Sequence, residues 1–141
     1  MSGLTIEELH ELIAHGRIER LEAATQAAVG ELDVSVTAPA EPALTLLRVR
    51  DAVAGAAFNA GEVLVTRCEL ELEGVPGWST VVGDERRRAL CGALLDAAAR
   101  RGALAGVEAD LAAELLRCRA ARAQRWAAVQ PTRVEFEEMA Q

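Results

Sequence analysis

The chain has 141 residues, 51% of them apolar, a composition that excludes a disordered segment and predicts one packed domain over residues 1–141. The formal net charge of −7 argues against a nucleic-acid-binding protein, because such proteins present a cationic surface. The N-terminal residues are acidic and no stretch approaches the apolar length that spans a bilayer, so we expect neither a signal peptide nor a membrane span.

The three cysteines, Cys68, Cys91 and Cys118, are widely spaced and contain no Cys-x-x-Cys pair. This usage predicts reduced, buried thiols in a cytoplasmic protein. A catalytic thiolate needs an electropositive, partly exposed position, so we interpret all three as small core residues.

Two helices are predicted at the N-terminus. The first covers Thr5–His15, where Thr5 and Glu8 have the spacing of a capping box and Gly16 can end the helix. The second covers Arg17–Val29 and ends at a glycine. Together they predict a hairpin of helices.

Two strands are predicted next. A short strand around Val34 and Val36 is expected to end before Pro39, and a second covers Ala43–Asp51. Apolar residues of this second strand fall on both faces, namely Leu44, Leu46, Leu47 and Val49. Mixed faces indicate that helices or a partner cover part of each side.

A long strand, Glu62–Glu73, alternates apolar and polar residues. The inward face is predicted to carry Leu64, Thr66, Cys68, Leu70 and Leu72. Val63 and Val65 interrupt the polar face at the start of the strand, which indicates that this end is covered.

The segment Val75–Trp78 is typical of a type II turn, because Pro76 presets the first central φ and Gly77 accepts a positive φ at the second. We expect the chain to return from this turn as the antiparallel strand Trp78–Val82.

The C-terminal part is predicted to be helical. Asp84 is expected to cap a helix that runs to about Arg101, and a last helix covers about Val107–Val129 before Pro131 stops it. The elements together predict an α+β fold, an antiparallel sheet of three to four strands flanked by the N-terminal helical hairpin and C-terminal helices.

No residue pattern indicates catalysis or a bound metal. His10 and His15 are five residues apart, so they lie about 140° apart around a helix and cannot converge on one ion. Glu69, Glu71 and Glu73 are predicted to form a solvated strand face. We therefore predict no catalytic residues, no metal and no cofactor.

Arginine is the unevenly distributed residue, and lysine is absent. One cluster is Arg86, Arg87 and Arg88; the other is Arg117, Arg119, Arg122 and Arg125. Either the clusters pair with acidic residues within the chain or between subunits, or they bind a phosphorylated ligand or an acidic partner.

Residues of the central block and of the C-terminal part form a further pattern. They are Phe58, Ala60-Gly61-Glu62, Val65-Thr66-Arg67, Gly77, Val82-Gly83, the helix from Ala89 through Asp96-Ala97, and then Thr132-Arg133-Val134-Glu135-Phe136 with Met139. In these residues the chain resembles the PhnG family. They cover roughly the last two-thirds of the chain. The family pattern has Gly-Arg-Asp where this chain has Gly83-Asp84-Glu85, with Arg86 close by.

The resemblance implies a subunit of the carbon–phosphorus lyase core complex, which works in phosphonate catabolism. That assembly makes alpha-D-ribose 1-methylphosphonate 5-triphosphate from ATP and an alkylphosphonate, releasing adenine. The implied partners are the other core subunits, with a possible homodimer inside the complex. The nucleosidase chemistry is attributed to another subunit, so the chain is expected to be a required, non-catalytic member of a transferase.

The residues predicted to contact partners are Val63, Val65, Arg67, Arg86, Arg119, Arg122, Phe136 and Met139. The alternatives are a regulatory module that binds an acidic protein, and a stand-alone protein that binds or acts on a phosphorylated small molecule.

Overall fold

A computed structural model describes residues 3–133, and in this part the chain forms four α-helices and one three-stranded antiparallel sheet. The elements are α1 Ile6–His15, α2 Ile18–Val29, β1 Val34–Arg50, β2 Ala57–Leu72, β3 Val75–Val82, α3 Arg86–Arg100 and α4 Glu108–Val129, followed by a 3-10 turn over Gln130–Thr132. Strand β2 is central and β1 and β3 are the edges. The predicted α+β class is confirmed, with three strands. No helix among the described residues is both long and apolar enough to cross a membrane.

Helix α3 lies at the centre of the core. It contacts β2 and β3 on one side and both α1 and α2 on the other, while α4 packs against α1 and α2. Its buried positions are mostly small: Ala89, Cys91, Gly92, Ala93, Leu95, Asp96, Ala97 and Ala98. Small side chains let the helix backbone approach the sheet closely, which explains how an alanine-rich chain fills a core.

Strand β1 is one continuous strand, and the prediction of two strands separated by a proline segment is wrong. Pro39 and Pro42 both lie inside it, where the register with β2 shifts between Val36 and Ala38 and again between Ala38 and Glu41. The physical reason is its position at the edge of the sheet. An edge strand tolerates proline and bulges because one side of its backbone needs no ladder hydrogen bonds.

The hairpin between β2 and β3 turns three residues earlier than predicted. Glu73 (φ 51°) and Gly74 (φ 75°) are its central residues, and both have positive φ, as in a type I′ turn. Leu72 pairs directly with Val75, and Pro76 and Gly77 are strand residues opposite Glu71 and Leu70. The predicted type II turn is therefore wrong. A two-residue type I′ turn matches the right-handed twist of the strands that it joins, so it is favoured over a type II turn in a tight hairpin.

Helix α3 begins without the predicted Asp84 cap. Glu85 occupies the cap position with no side-chain cap, and Asp84 instead accepts from Arg86 (Nε–Oδ1 3.2 Å). The helix start is held by Thr66 on β2, which accepts from the Glu85 N–H at 2.9 Å and donates to the Gly83 carbonyl at 2.6 Å. A tertiary contact thus replaces the local cap.

The predicted inward face of β2 is confirmed over most of its length. Thr66, Cys68, Leu70 and Leu72 are buried against α3, as predicted. Leu64 is exposed, although the same alternation places it on this face. Strand β2 begins earlier than predicted, at Ala57. Its first half extends past the start of α3, so the helix does not cover Leu64.

Candidate functional site

The first half of β2 and the second half of β1 form a ribbon that we call the β-arm, residues 43–64. All but three of its side chains are exposed, and these three, Val49, Asp51 and Val63, are half-buried. The large apolar side chains that remain exposed on it are Leu44, Leu46, Leu47, Val53, Phe58 and Leu64. Leu44 is 63% exposed and Phe58 52%, values that are unusual for residues of this size in a packed domain.

Both faces of the β-arm are apolar. Leu44 pairs with Leu64, and directly opposite residues share a face, so these two side chains extend the core-facing side of the sheet. Leu47 lies on the opposite face, because successive residues of a strand point to opposite sides of the sheet. A two-stranded ribbon is marginally stable alone in water. Exposed apolar residues on both sides of such a ribbon indicate a surface that another molecule covers.

Within the described residues, most clustered arginines pair with acidic side chains of the same chain. Arg87 donates to Glu22 through Nε and Nη2, both at 2.7 Å. Arg117 donates to Glu114 at 2.8 Å. These contacts confirm the predicted pairing inside the chain. The Arg87–Glu22 pair is exposed, and exposed pairs contribute little to stability.

The predicted contact residues near the sheet occupy different environments. The Val65 side chain is buried and that of Val63 is half-buried, so neither presents a large surface in the free chain. Arg67 and Arg86 are exposed, and each pairs with a neighbour, Arg67 with Glu69 at 2.6 Å. A contact of these four residues with a partner stays a prediction.

Arg119 and Arg122 are brought together on α4, facing α1. Arg119 Nη2 lies 2.8 Å from Glu11 Oε2, and this hydrogen bond lowers the pKa of Glu11. Arg122 lies 3.8 Å from the same carboxylate. Phe136 and Met139 lie outside the described residues. No signal in the sequence joins Glu11 to these arginines, because the contact depends on how α1 packs on α4.

A buried polar cluster that the sequence did not reveal lies between α1, β3 and α3. The Asp96 carboxylate is fully buried and accepts from the Trp78 backbone N–H at 3.2 Å and from Arg100 Nε at 2.9 Å. His10 Nε2 lies 3.6 Å from Asp96 Oδ1 and its ring meets Trp78 edge to face. In the described part of the chain, His10 Nε2 and Asp96 Oδ1 have no hydrogen-bond partner.

The described part of the chain has no cluster of metal ligands, and its cysteines are buried. Across residues 3–133, no three His, Cys, Asp or Glu side chains converge as metal ligands. Cys68, Cys91 and Cys118 are buried, as predicted, and burial raises the pKa of each thiol. Thiols in this state are poor nucleophiles at neutral pH.

The family model described as phosphonate metabolism protein PhnG matches residues 7–141, which is nearly the whole chain. A comparison with curated proteins gives no match. The family match covers the sheet, the β-arm and all four helices apart from the first residue of α1. The chain therefore belongs to the PhnG family and has a role in phosphonate metabolism.

Proposed function

We propose that this chain is a required, non-catalytic subunit of the carbon–phosphorus lyase core complex in the cytoplasm. In this role it supports formation of alpha-D-ribose 1-methylphosphonate 5-triphosphate from ATP and an alkylphosphonate, with release of adenine. Its partners are the other core subunits and a second copy of the same chain inside the complex. Family membership supports the pathway.

The observation that carries the subunit role is the β-arm. Strand β3 and the second half of β2 bury one face against α3, but the arm leaves Leu44, Leu46 and Leu64 in solvent on the continuation of that face. Leaving this apolar surface in water costs about 25 cal/mol per Å2. A partner that covers the arm removes that cost, and oligomeric proteins keep their apolar surfaces for this use.

The experiment is co-expression of the chain with the cognate core subunits, followed by purification and measurement of complex mass. The unaltered chain is expected to co-purify at a fixed stoichiometry. The double variant Leu44→Glu, Leu46→Glu places charges in the covered surface and is expected to reduce complex yield at least ten-fold. The free variant should keep its unfolding transition, because both side chains are already exposed.

Ala27→Glu is the matched control, since Ala27 is an exposed apolar residue on α2, away from the arm. It is expected to assemble like the unaltered chain. An unaltered chain that remains monomeric beside all core subunits contradicts the proposal. Assembly that tolerates both charges on the arm contradicts the role of the arm while leaving membership in the complex intact.

A further inference from the structure

The second half of α4 leaves the packed body of the protein. From Arg119 to Val129 every side chain is exposed except that of Ala121, which is half-buried. This half of the helix borders a cleft of about 860 Å3, which we call the α4 cleft. Glu11 and His15 of α1 line one side, and α4 residues between Arg117 and Val129 line the other.

The α4 cleft carries an excess of positive charge in a chain whose net charge is −7. Among the described residues that line it, Glu11 is the acidic one, against Arg117, Arg119, Arg122 and Arg125. Arg117 is paired with Glu114 and Arg119 with Glu11 and Glu8.

Two cations of the α4 cleft are weakly compensated. Arg122 is 73% exposed and its nitrogen lies 3.8 Å from Glu11, beyond hydrogen-bonding distance. Arg125 has no ion pair with any residue between 3 and 133. An incoming carboxylate can pair with these two guanidinium groups without breaking a strong internal contact.

An apolar surface lies beside these cations. Trp126 is 66% exposed and Val129 54%, and they follow Arg122 at i+4 and i+7, on the same face of the helix. Tryptophan and arginine are the residue types that dominate binding energy at protein interfaces. The lining side chains are exposed, whereas a small-ligand site buries most of its ligand, so the surface fits a polypeptide better than a small phosphorylated molecule.

We propose that the α4 cleft docks an acidic segment of another core subunit, one that carries carboxylates beside an apolar side chain. The carboxylates pair with Arg122 and Arg125, and the apolar side chain packs on Trp126 and Val129. This inference rests on the proposed function, because the partner is a subunit of the same complex. It assigns to α4 a second contact surface, separate from the β-arm.

The first test reverses charge in the reconstituted complex. Arg122→Glu combined with Arg125→Glu is expected to raise the dissociation constant roughly ten-fold or more and to make it less dependent on salt concentration. Trp126→Ala is expected to weaken binding by a similar factor while keeping the salt dependence. Arg20→Glu is the matched control, an exposed arginine on α2 outside the cleft, and is expected to bind like the unaltered chain.

The second test identifies the occupant. A photo-reactive amino acid at position 129 in the assembled complex is expected to crosslink to a peptide of another subunit that is rich in Asp and Glu. If the arginine variants assemble with unchanged affinity and unchanged salt dependence, the docking role of the α4 cleft is overturned, while membership in the complex is not. Crosslinks only to neutral or basic peptides, or crosslinking abolished by millimolar ATP, also overturn it. If the unaltered chain does not assemble, the proposed function fails first and this inference fails with it.

Discussion

Glu114 of α4 accepts hydrogen bonds from Arg17 through both of its oxygens, and Arg17 lies 97 residues earlier in the chain. Arg17 Nη2 donates to Glu114 Oε2 at 2.6 Å, and the Arg17 backbone N–H donates to Oε1 at 2.9 Å. The carboxylate is almost fully buried, and Arg117 pairs with it from the same helix. This contact fastens the junction between α1 and α2 to α4.

Glu114→Gln should lower the free energy of unfolding by about 2 kcal/mol, because charge-assisted hydrogen bonds are lost at a buried position. Urea unfolding followed by circular dichroism measures the change. Glu108→Gln is a partial control on the same helix, since Glu108 accepts from the Leu4 N–H at 3.0 Å and is less buried. Equal stability of Glu114→Gln and the unaltered chain would contradict the anchoring role.

The same carboxylate makes stability depend on pH. Arg17 and then Arg117 hold the pKa of Glu114 well below its ordinary value of 4.5. A depressed folded pKa contributes stability above the unfolded pKa, and this contribution is lost as pH falls through the folded pKa. The stability difference between the unaltered chain and Glu114→Gln should therefore shrink between about pH 5 and pH 3. A constant difference over that range would contradict the assignment.

Gly77→Ala should destabilise the fold by about 3 kcal/mol or more, because strand β3 touches α3 at this position. A Cβ on Gly77 would clash with the Ala93 carbonyl oxygen and lie 2.8 Å from the Ala97 nitrogen. Gly106→Ala is the control, since its added Cβ meets no atom within 4 Å. Thermal unfolding of both variants measures the effect, and similar transitions for the two would show that β3 and α3 are not in close contact.

Asp96→Ala should lower the free energy of unfolding by about 2 kcal/mol, because the Trp78 N–H and the Arg100 Nε lose their buried acceptor. Asp96→Asn keeps one carbonyl oxygen in place and should cost clearly less. Chemical unfolding ranks the two variants, and near-ultraviolet circular dichroism reports on the packing of Trp78. The reverse ranking, with Asp96→Asn less stable than Asp96→Ala, would contradict the role of the Asp96 oxygens as acceptors.

The elements with strong local signals could be predicted from the sequence. The capping box of Thr5 and Glu8 is present with both hydrogen bonds, and the inward face from Cys68 to Leu72 follows its two-residue period. The apolar residues on both faces of the second predicted strand already indicated a covering partner or helices. The structure shows that, in the described part of the chain, these side chains stay exposed on the β-arm.

The elements whose signals depend on tertiary context could not be predicted. Pro39 breaks a central strand but is tolerated in β1, and only the strand order reveals that β1 is an edge. Pro76-Gly77 has turn residues, yet Gly77 is needed because α3 passes directly over it. Asp84 has cap chemistry, yet Thr66 of a distant strand holds the helix start.

By itself, the sequence determined the α+β class, the presence of two helices at the N-terminus and the membership in the PhnG family, since periodicity, caps and local motifs are encoded within a few residues. The tertiary structure alone decided where the long edge strand lies, which apolar residues remain uncovered, and that Arg17 meets Glu114. Those features depend on contacts between residues tens of positions apart, and their free energy appears only when the helices pack on the sheet.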